Sequence, residues 1–463
     1  MSALDRHIKE RKVFKKLSKE AIYCNACDER VHIKLTAVKH CITSHEKSQK
    51  HMRKLVQWTQ SGSQQQTIRE TVDLVDSKFN SQLARFMSAC NIPWYRANSK
   101  PFRSFFQHLG KKVPDERTLR RQVPEIYREA IDSIRNDIGD SWIYLQIDES
   151  RIADRGIVSV LVGRLDGHKP ISHCINIVEL DTNINNTHIS QIVNDSLHII
   201  WPDTIYYDRF RLLVTDQAKY MLKAGQNLKL LYPKLLHITC ICHALHRVCE
   251  KVHSDRRFAK KFVEKLSKVL SRCPRRQNLL SFHTGAPMHP LPVITRWGTW
   301  LSFCAYLHLH LDKIKEFIAE VEEEDNNAIA EIVTIANSSE LQQDLIEIQQ
   351  FQHLVRIIKQ LEESGLNIYQ QKRLLDEARD GLPDQYKDKL QRLLLNNPDI
   401  DTIFNIESHE SATNYSTAPL TSVDVERSFS ILKNILTVRR QSFTEDNFKM
   451  YAVSQLHAVS TEQ

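Results

Sequence analysis

Apolar residues recur along the chain in two periods. Ile68, Val72, Val75, Phe79, Leu83 and Phe86 are spaced three or four apart, which makes one face of an amphipathic helix. Short helices are expected to follow as far as about Asp137, interrupted at Pro93, Pro101 and Pro114. Near Ser141 the pattern changes to short runs rich in β-branched residues. Residues 142–147, 157–165, 171–180, 211–215 and 237–242 read as five strands, the last followed by a helical pattern through Leu245, Val248 and Val252. Three consecutive strands, then strands alternating with helices, predict a mixed α/β sheet. From about Ala259 to Leu395 the reading is helical, with Phe351, Leu354, Ile357, Ile358 and Leu361 at helix spacing. The run 322–325 (EEED) is expected to be a solvated face or loop. Thr421 with Asp424 three residues on resembles a capping box, which would put Glu426 in the second turn of a last helix.

Composition narrows the class. The chain has 463 residues, 41% hydrophobic and 26% charged, values of a globular protein that can bury a large core. No apolar run reaches about 18 residues without a charge, so no membrane span is expected. The start, MSALDRHIKERKVFKK, has no apolar signal core, so secretion is not expected. Ten cysteines in a chain of this length are read as free thiols or metal ligands, not as a disulfide framework.

Charge adds a direction. The net charge is +8, and residues 1–54 carry 14 Lys/Arg against 6 Asp/Glu, so the remainder is balanced. A basic arm of this kind suits the phosphate backbone of nucleic acid. The polar stretch 61–66 (SGSQQQ) after it has the composition of a flexible tether.

Two groups of residues carry candidate chemistry. Cys24 and Cys27 form a C-x2-C pair, and His45 and His51 follow with five residues between them. Two thiolates on a tight turn with two imidazoles close a tetrahedral zinc site, with His40 as a competing ligand. Such a small segment rarely folds without metal, so zinc would supply its folding free energy. Separately, Asp148 and Asp216 each follow a short apolar strand, and residues at the carboxyl ends of neighbouring strands can meet. With a third acid from a nearby helix they can hold two divalent ions about 4 Å apart, the arrangement used for phosphodiester cleavage. An Asp after a strand is more commonly a turn or cap residue, so spacing alone gives candidates.

A series of motifs in one order resembles the hAT superfamily of DNA transposases. Ile147-Asp148-Glu149-Ser150 and Val214-Thr215-Asp216-Gln217-Ala218-Lys219-Tyr220-Met221 look like its first and second catalytic Asp segments. Cys240-Ile241-Cys242-His243 looks like its C-x2-H element, and Thr295-Arg296-Trp297 matches its T-R-W motif. Glu426-Arg427-Ser428-Phe429-Ser430 resembles the E-R-x-F-S signature that opens its C-terminal dimerisation region, and the Cys/His module resembles its BED-type finger. The finger also resembles that of CGG triplet repeat-binding proteins.

The resemblance implies an α/β fold: an RNase H-like mixed sheet interrupted by a long α-helical insertion, with a small N-terminal zinc finger. The implied division is 1–60 finger, 61–139 linker and helical intermediate region, 140–255 first part of the core, 256–410 insertion and 411–463 final core helix and dimerisation region. Asp148, Asp216 and Glu426 would be the catalytic acids, binding Mg²⁺ or Mn²⁺. His243, Arg296 and Trp297 would assist on DNA, while Cys24, Cys27, His45 and His51 would hold Zn²⁺. The implied activity is cleavage with hairpin formation and strand transfer on double-stranded DNA, in the nucleus, by a homo-oligomer. Ile431, Leu432, Ile435 and Leu436 offer an apolar helix face for that interface or for the chain's own core. The alternative is a domesticated, transposase-derived DNA-binding regulator that dimerises without cutting.

Overall fold

The computed structural model describes residues 8, 11, 13–18, 20–180, 184–293, 297–322, 326–363, 365–406, 409–437 and 443–461. The chain divides into one unit of Met1–Phe86 with Trp94–Arg121 and a second of Met87–Pro93 with Gln122–Gln463.

The first unit begins with three short antiparallel strands, β1 (Phe14–Ser18), β2 (Ala21–Cys24) and β3 (Glu29–His32), paired in that order. Helices Val38–Glu46 and Gln49–Ala89 follow. Phe14, Ile22, Ile33, Val38 and Ile42 form a small core together with Cys24 and Cys27. A core of this size is marginal by itself.

The Gln49–Ala89 helix runs unbroken through 61–66, where composition suggested a tether. Gln and Ser are tolerated in a helix, and only Gly62 is costly there, by about 1 kcal/mol relative to Ala. Of the expected apolar face, Leu83 is buried, Phe79 half-buried and Phe86 51% exposed. The side chains of Ile68, Val72 and Val75 lie outside those described. Pro101 opens the Lys100–His108 helix instead of interrupting one, because proline's missing N–H has no partner in a first turn anyway.

The second unit is built on a five-stranded sheet of order β6-β5-β4-β7-β8. Its strands are β4 (Trp142–Ile152), β5 (Arg155–Leu165), β6 (His173–Leu180), β7 (Phe210–Thr215) and β8 (Leu236–Thr239). The first three are antiparallel, and β4, β7 and β8 run parallel. The mixed α/β class expected from the hydrophobic pattern is therefore present, with all five strands in place.

Two boundaries differ from expectation, and both touch the candidate site. β4 does not stop at Ile147. It continues to Ile152 because antiparallel pairing with β5 persists to a turn at Ala153-Asp154, both with positive φ. β8 ends at Thr239, and the helix Ile241–Asp255 starts directly after Cys240, so Cys242 is helical.

Helices Asn186–Ile200 and Lys219–Leu231 connect the later strands. From Arg257 to Tyr415 the described elements are almost entirely helical. Phe351, Leu354, Ile357, Ile358 and Leu361 are all buried there, as their spacing predicts. This block shares one apolar core with Leu212, Val214 and Ile238 of the sheet and with Leu245, Val248 and Val252. It also closes the sheet edge: Asn397 exchanges hydrogen bonds with the backbone of Thr239 at 2.8 Å, and Asp399 accepts from the His237 N–H at 2.6 Å. An uncovered edge would leave these groups as a template for foreign strands.

The chain then returns to the sheet. Helix Val423–Ile435 packs on β4 and β5, and helix Glu445–Thr461 on β6. Leu432, Ile435 and Leu436 are buried within the chain, so three of the four residues of the expected interface face serve its own core. Among the described residues no helix is long and apolar enough to cross a membrane.

Candidate functional site

In the first unit, Cys24 ends β2 and Cys27 lies in the turn to β3. The Cys27 N–H donates to Cys24 Sγ at 3.4 Å, and Asp28 turns the chain with φ 56°. His45 and His51 lie on two successive helices. Ser48 makes the break: its hydroxyl donates to the His45 carbonyl at 2.8 Å and accepts the His51 N–H at 3.2 Å. This serine capping lets an H-x5-H spacing bring both rings to one point. His51 Nδ1 is 3.4 Å from both sulfurs, and ligand atoms of all four residues lie within 4.8 Å of one another. Buried Nε2 of His45 has no hydrogen-bond partner among the described residues.

These four side chains can hold a metal ion. His40 is exposed on the Val38–Glu46 helix and takes no part. Phe14 walls the cluster, stacked on His51 and edge-on to His45. Burial, and then the neighbouring Cys24 sulfur, push the Cys27 thiol up to about 11, so a cation is what would favour its thiolate.

In the second unit, four elements meet beside the middle of β4, where Asp148 lies. Asp148 is in the strand, 8% exposed, opposite Ser159 of β5. The parallel pairing of β4 with β7 ends at Gln146 and Val214; Asp216 follows Thr215, the last residue of β7, and its charge acts on Asp148. His243 lies in the first turn after β8, and Glu426 in the first turn of the Val423–Ile435 helix. The cap position is Ser422, one residue later than the capping-box reading put it, so Glu426 falls in the first turn, and Asp424 pairs with Arg427 at 2.7 Å.

Asp148, His243 and Glu426 bring a ligand atom each within 4.8 Å of one another and can hold a metal ion. Asp216 stands outside that group, and one of its carboxylate oxygens accepts the Ala218 N–H at 3.1 Å.

The electrostatics follow from burial. Burial foremost, opposed by His243 and reinforced by Asp216 and Glu426, raises Asp148 to about 7. Burial works against charge on His243, but the Cys240 sulfur, Asp148 and Glu426 outweigh it and raise the imidazole to about 10. For Cys240 burial opposes ionisation, and hydrogen bonding from Cys242 with the charge of His243 overcomes it, holding the thiol well below its usual range. The Ser422 N–H also donates to Cys240 Sγ, at 3.2 Å.

The chain matches no protein-family model, and no curated protein matches it.

Arg296 lies outside the described residues, as does the side chain of Trp297, whose backbone opens the Trp297–Leu309 helix. Residues 323–325 of the acidic run are also outside them. Three participants were missed in the sequence. Ser422 meets His243 Nδ1 at 3.4 Å, and Tyr220 donates to Glu149 at 3.0 Å beside the acids. Phe14, the wall of the Cys/His cluster, is the third. Tyr220 stands in the quoted Asp216 segment, where its polar reach gave a usable signal. Ser422 opens the segment that carries the E-R-x-F-S resemblance, and Phe14 gave no signal.

Proposed function

We propose that this chain is a hAT-type DNA transposase with an RNase H-like core and a zinc-binding N-terminal module. The observation that carries this reading is the meeting of Asp148 and Glu426, acids far apart in sequence, with Asp216 just past the end of the adjoining parallel strand. The sheet order, three antiparallel strands followed by two parallel ones, supports the RNase H-like assignment. So does the long helical block between His243 and Glu426.

Hard carboxylate oxygens at a strand end fit Mg²⁺ or Mn²⁺. Asp148 and Glu426 would hold one ion with His243 nearby, and Asp216 would serve a second position. Such ions lower the pKa of an attacking water or 3′-hydroxyl and stabilise the leaving oxygen. Within the chain itself, Asp148 must lose its proton, and His243 supplies the positive charge that keeps the two carboxylates together without metal. Ser422 orients the imidazole from its Nδ1 side.

The soft donors Cys24, Cys27, His45 and His51 fit a closed tetrahedral Zn²⁺ site, and the unsatisfied His45 nitrogen supports that fit. Exposed Lys15, Lys16, Arg30, Lys34, Lys39 and Arg53 around the module suit double-stranded DNA. A nuclear location and a homo-oligomer belong to the same reading.

Nicking and hairpin formation on DNA carrying the flanks of the coding region, in Mg²⁺ or Mn²⁺, test it. Binding without cleavage on intact ends would favour the non-catalytic regulator.

A further inference from the structure

An open pocket of about 540 Å³ is lined by helices Lys219–Leu231, Ile241–Asp255 and Asp384–Leu395. Each helix contributes one cation to its wall: Lys229, Arg247 and Lys389. Among the described residues no acidic side chain lines it; Asn396 adds an amide, while the Gln217 amide already donates to the Leu393 carbonyl at 2.8 Å.

The neighbouring acids leave a positive remainder. Asp399 pairs with Lys229 from behind, where it also accepts the His237 N–H. Glu250 stands 3.7 Å from Arg247, an exposed contact one turn along the same helix. Among the described residues Lys389 has no ion-pair partner. His237 in the wall is held neutral: burial, aided by Lys229, lowers it to about 4.

We propose that this pocket binds phosphate. A guanidinium fork and two ammonium groups from three directions match an anion whose oxygens spread in three dimensions. The volume exceeds what one carboxylate fills, so the ligand carries linked phosphates: either a stretch of nucleic-acid backbone or a free oligophosphate. Asp148 and Glu426 are not among the residues lining the pocket, and the inference stands whether or not those acids cut DNA.

The test uses the full chain and an Arg247→Gln/Lys389→Gln double variant. Two probes are titrated across a salt series, a 30-base-pair duplex and sodium tripolyphosphate. If the source is nucleic acid, the variant binds the duplex about threefold to tenfold more weakly, and the slope of log affinity against log salt falls by about two. If the source is a free oligophosphate, tripolyphosphate raises the melting temperature of the wild type saturably and not that of the variant, with duplex binding equal in both. Equal responses of the two proteins to both probes overturn the proposal. Should the double variant not fold, the single Arg247→Gln and Lys389→Gln variants carry the same comparison, each with a slope change of about one.

Discussion

Glu426 Oε1 stands 3.8 Å from His243 Nε2, joining the first turn of a C-terminal helix to the first turn after β8. The contact matters because Asp148 lies within 4.8 Å of both, so one imidazolium faces two carboxylates. Removing that charge leaves the acids facing each other.

The first prediction follows from this geometry. An opposite charge favours the ionised carboxylate, so His243→Gln raises Asp148 above its value of about 7. The midpoint of Mn²⁺ binding against pH should move upward by about one unit. Calorimetric titration of the full chain between neutral and alkaline pH measures it, and an unmoved or lower midpoint counts against the arrangement.

The Cys/His cluster makes a second. One equivalent of zinc should co-purify with the full chain, and Cys27→Ser should lose it. Structural zinc supplies about 10 kcal/mol or more of apparent folding free energy in small modules. Chelation should therefore unfold the strands β1 to β3 while leaving the five-stranded sheet intact. Hydrogen exchange resolves the two regions, and a metal content equal in wild type and variant would remove the assignment.

His237 gives a pH dependence of defined sign. Burial lowers it from 6.5 to about 4, so between those values the unfolded chain binds more protons than the folded one. Its stabilising contribution is present above the unfolded value and is lost as the pH falls through the window, by about 3 kcal/mol in total. His237→Gln should flatten the fall in urea-unfolding free energy between pH 6.5 and pH 4. His253, lowered to about 4 as well, remains in both proteins and cancels in the comparison.

The same histidine explains Gly225. A Cβ there would lie 2.0 Å from His237 Nδ1, inside a buried ring. Gly225→Ala should destabilise the second unit by about 1–3 kcal/mol, as overpacking does. Adding His237→Ala should recover part of that loss in thermal melting, since the clashing ring is gone.

Much of this architecture was legible in the residues. The β-branched runs located all five strands of the sheet, and the spacing of Leu354, Ile357, Ile358 and Leu361 located a buried helix face. The C-x2-C and H-x5-H spacings named all four members of the Cys/His cluster. What the pattern hid was mostly tertiary. β4 outlasts its apolar run because a partner strand pairs with it beyond Asp148, and no local period reports a partner. The helix through Ser61 and Gly62 overrides a composition that by itself suggests a tether. Ser422 enters the site only because the chain returns to the sheet after the helical block, and Phe14 becomes a wall of the Cys/His cluster only once β1 pairs with β2.

The central claim is that Asp148, Asp216 and Glu426 carry metal-dependent phosphodiester chemistry. Cleavage of DNA bearing intact element ends, in Mg²⁺ or Mn²⁺, tests it most directly when wild type is run beside Asp148→Asn, Asp216→Asn and Glu426→Gln. The account predicts nicked and hairpinned product from wild type alone, with duplex binding retained by all four proteins. Cleavage that persists in all three variants, or intact ends bound by wild type and left uncut, would contradict it.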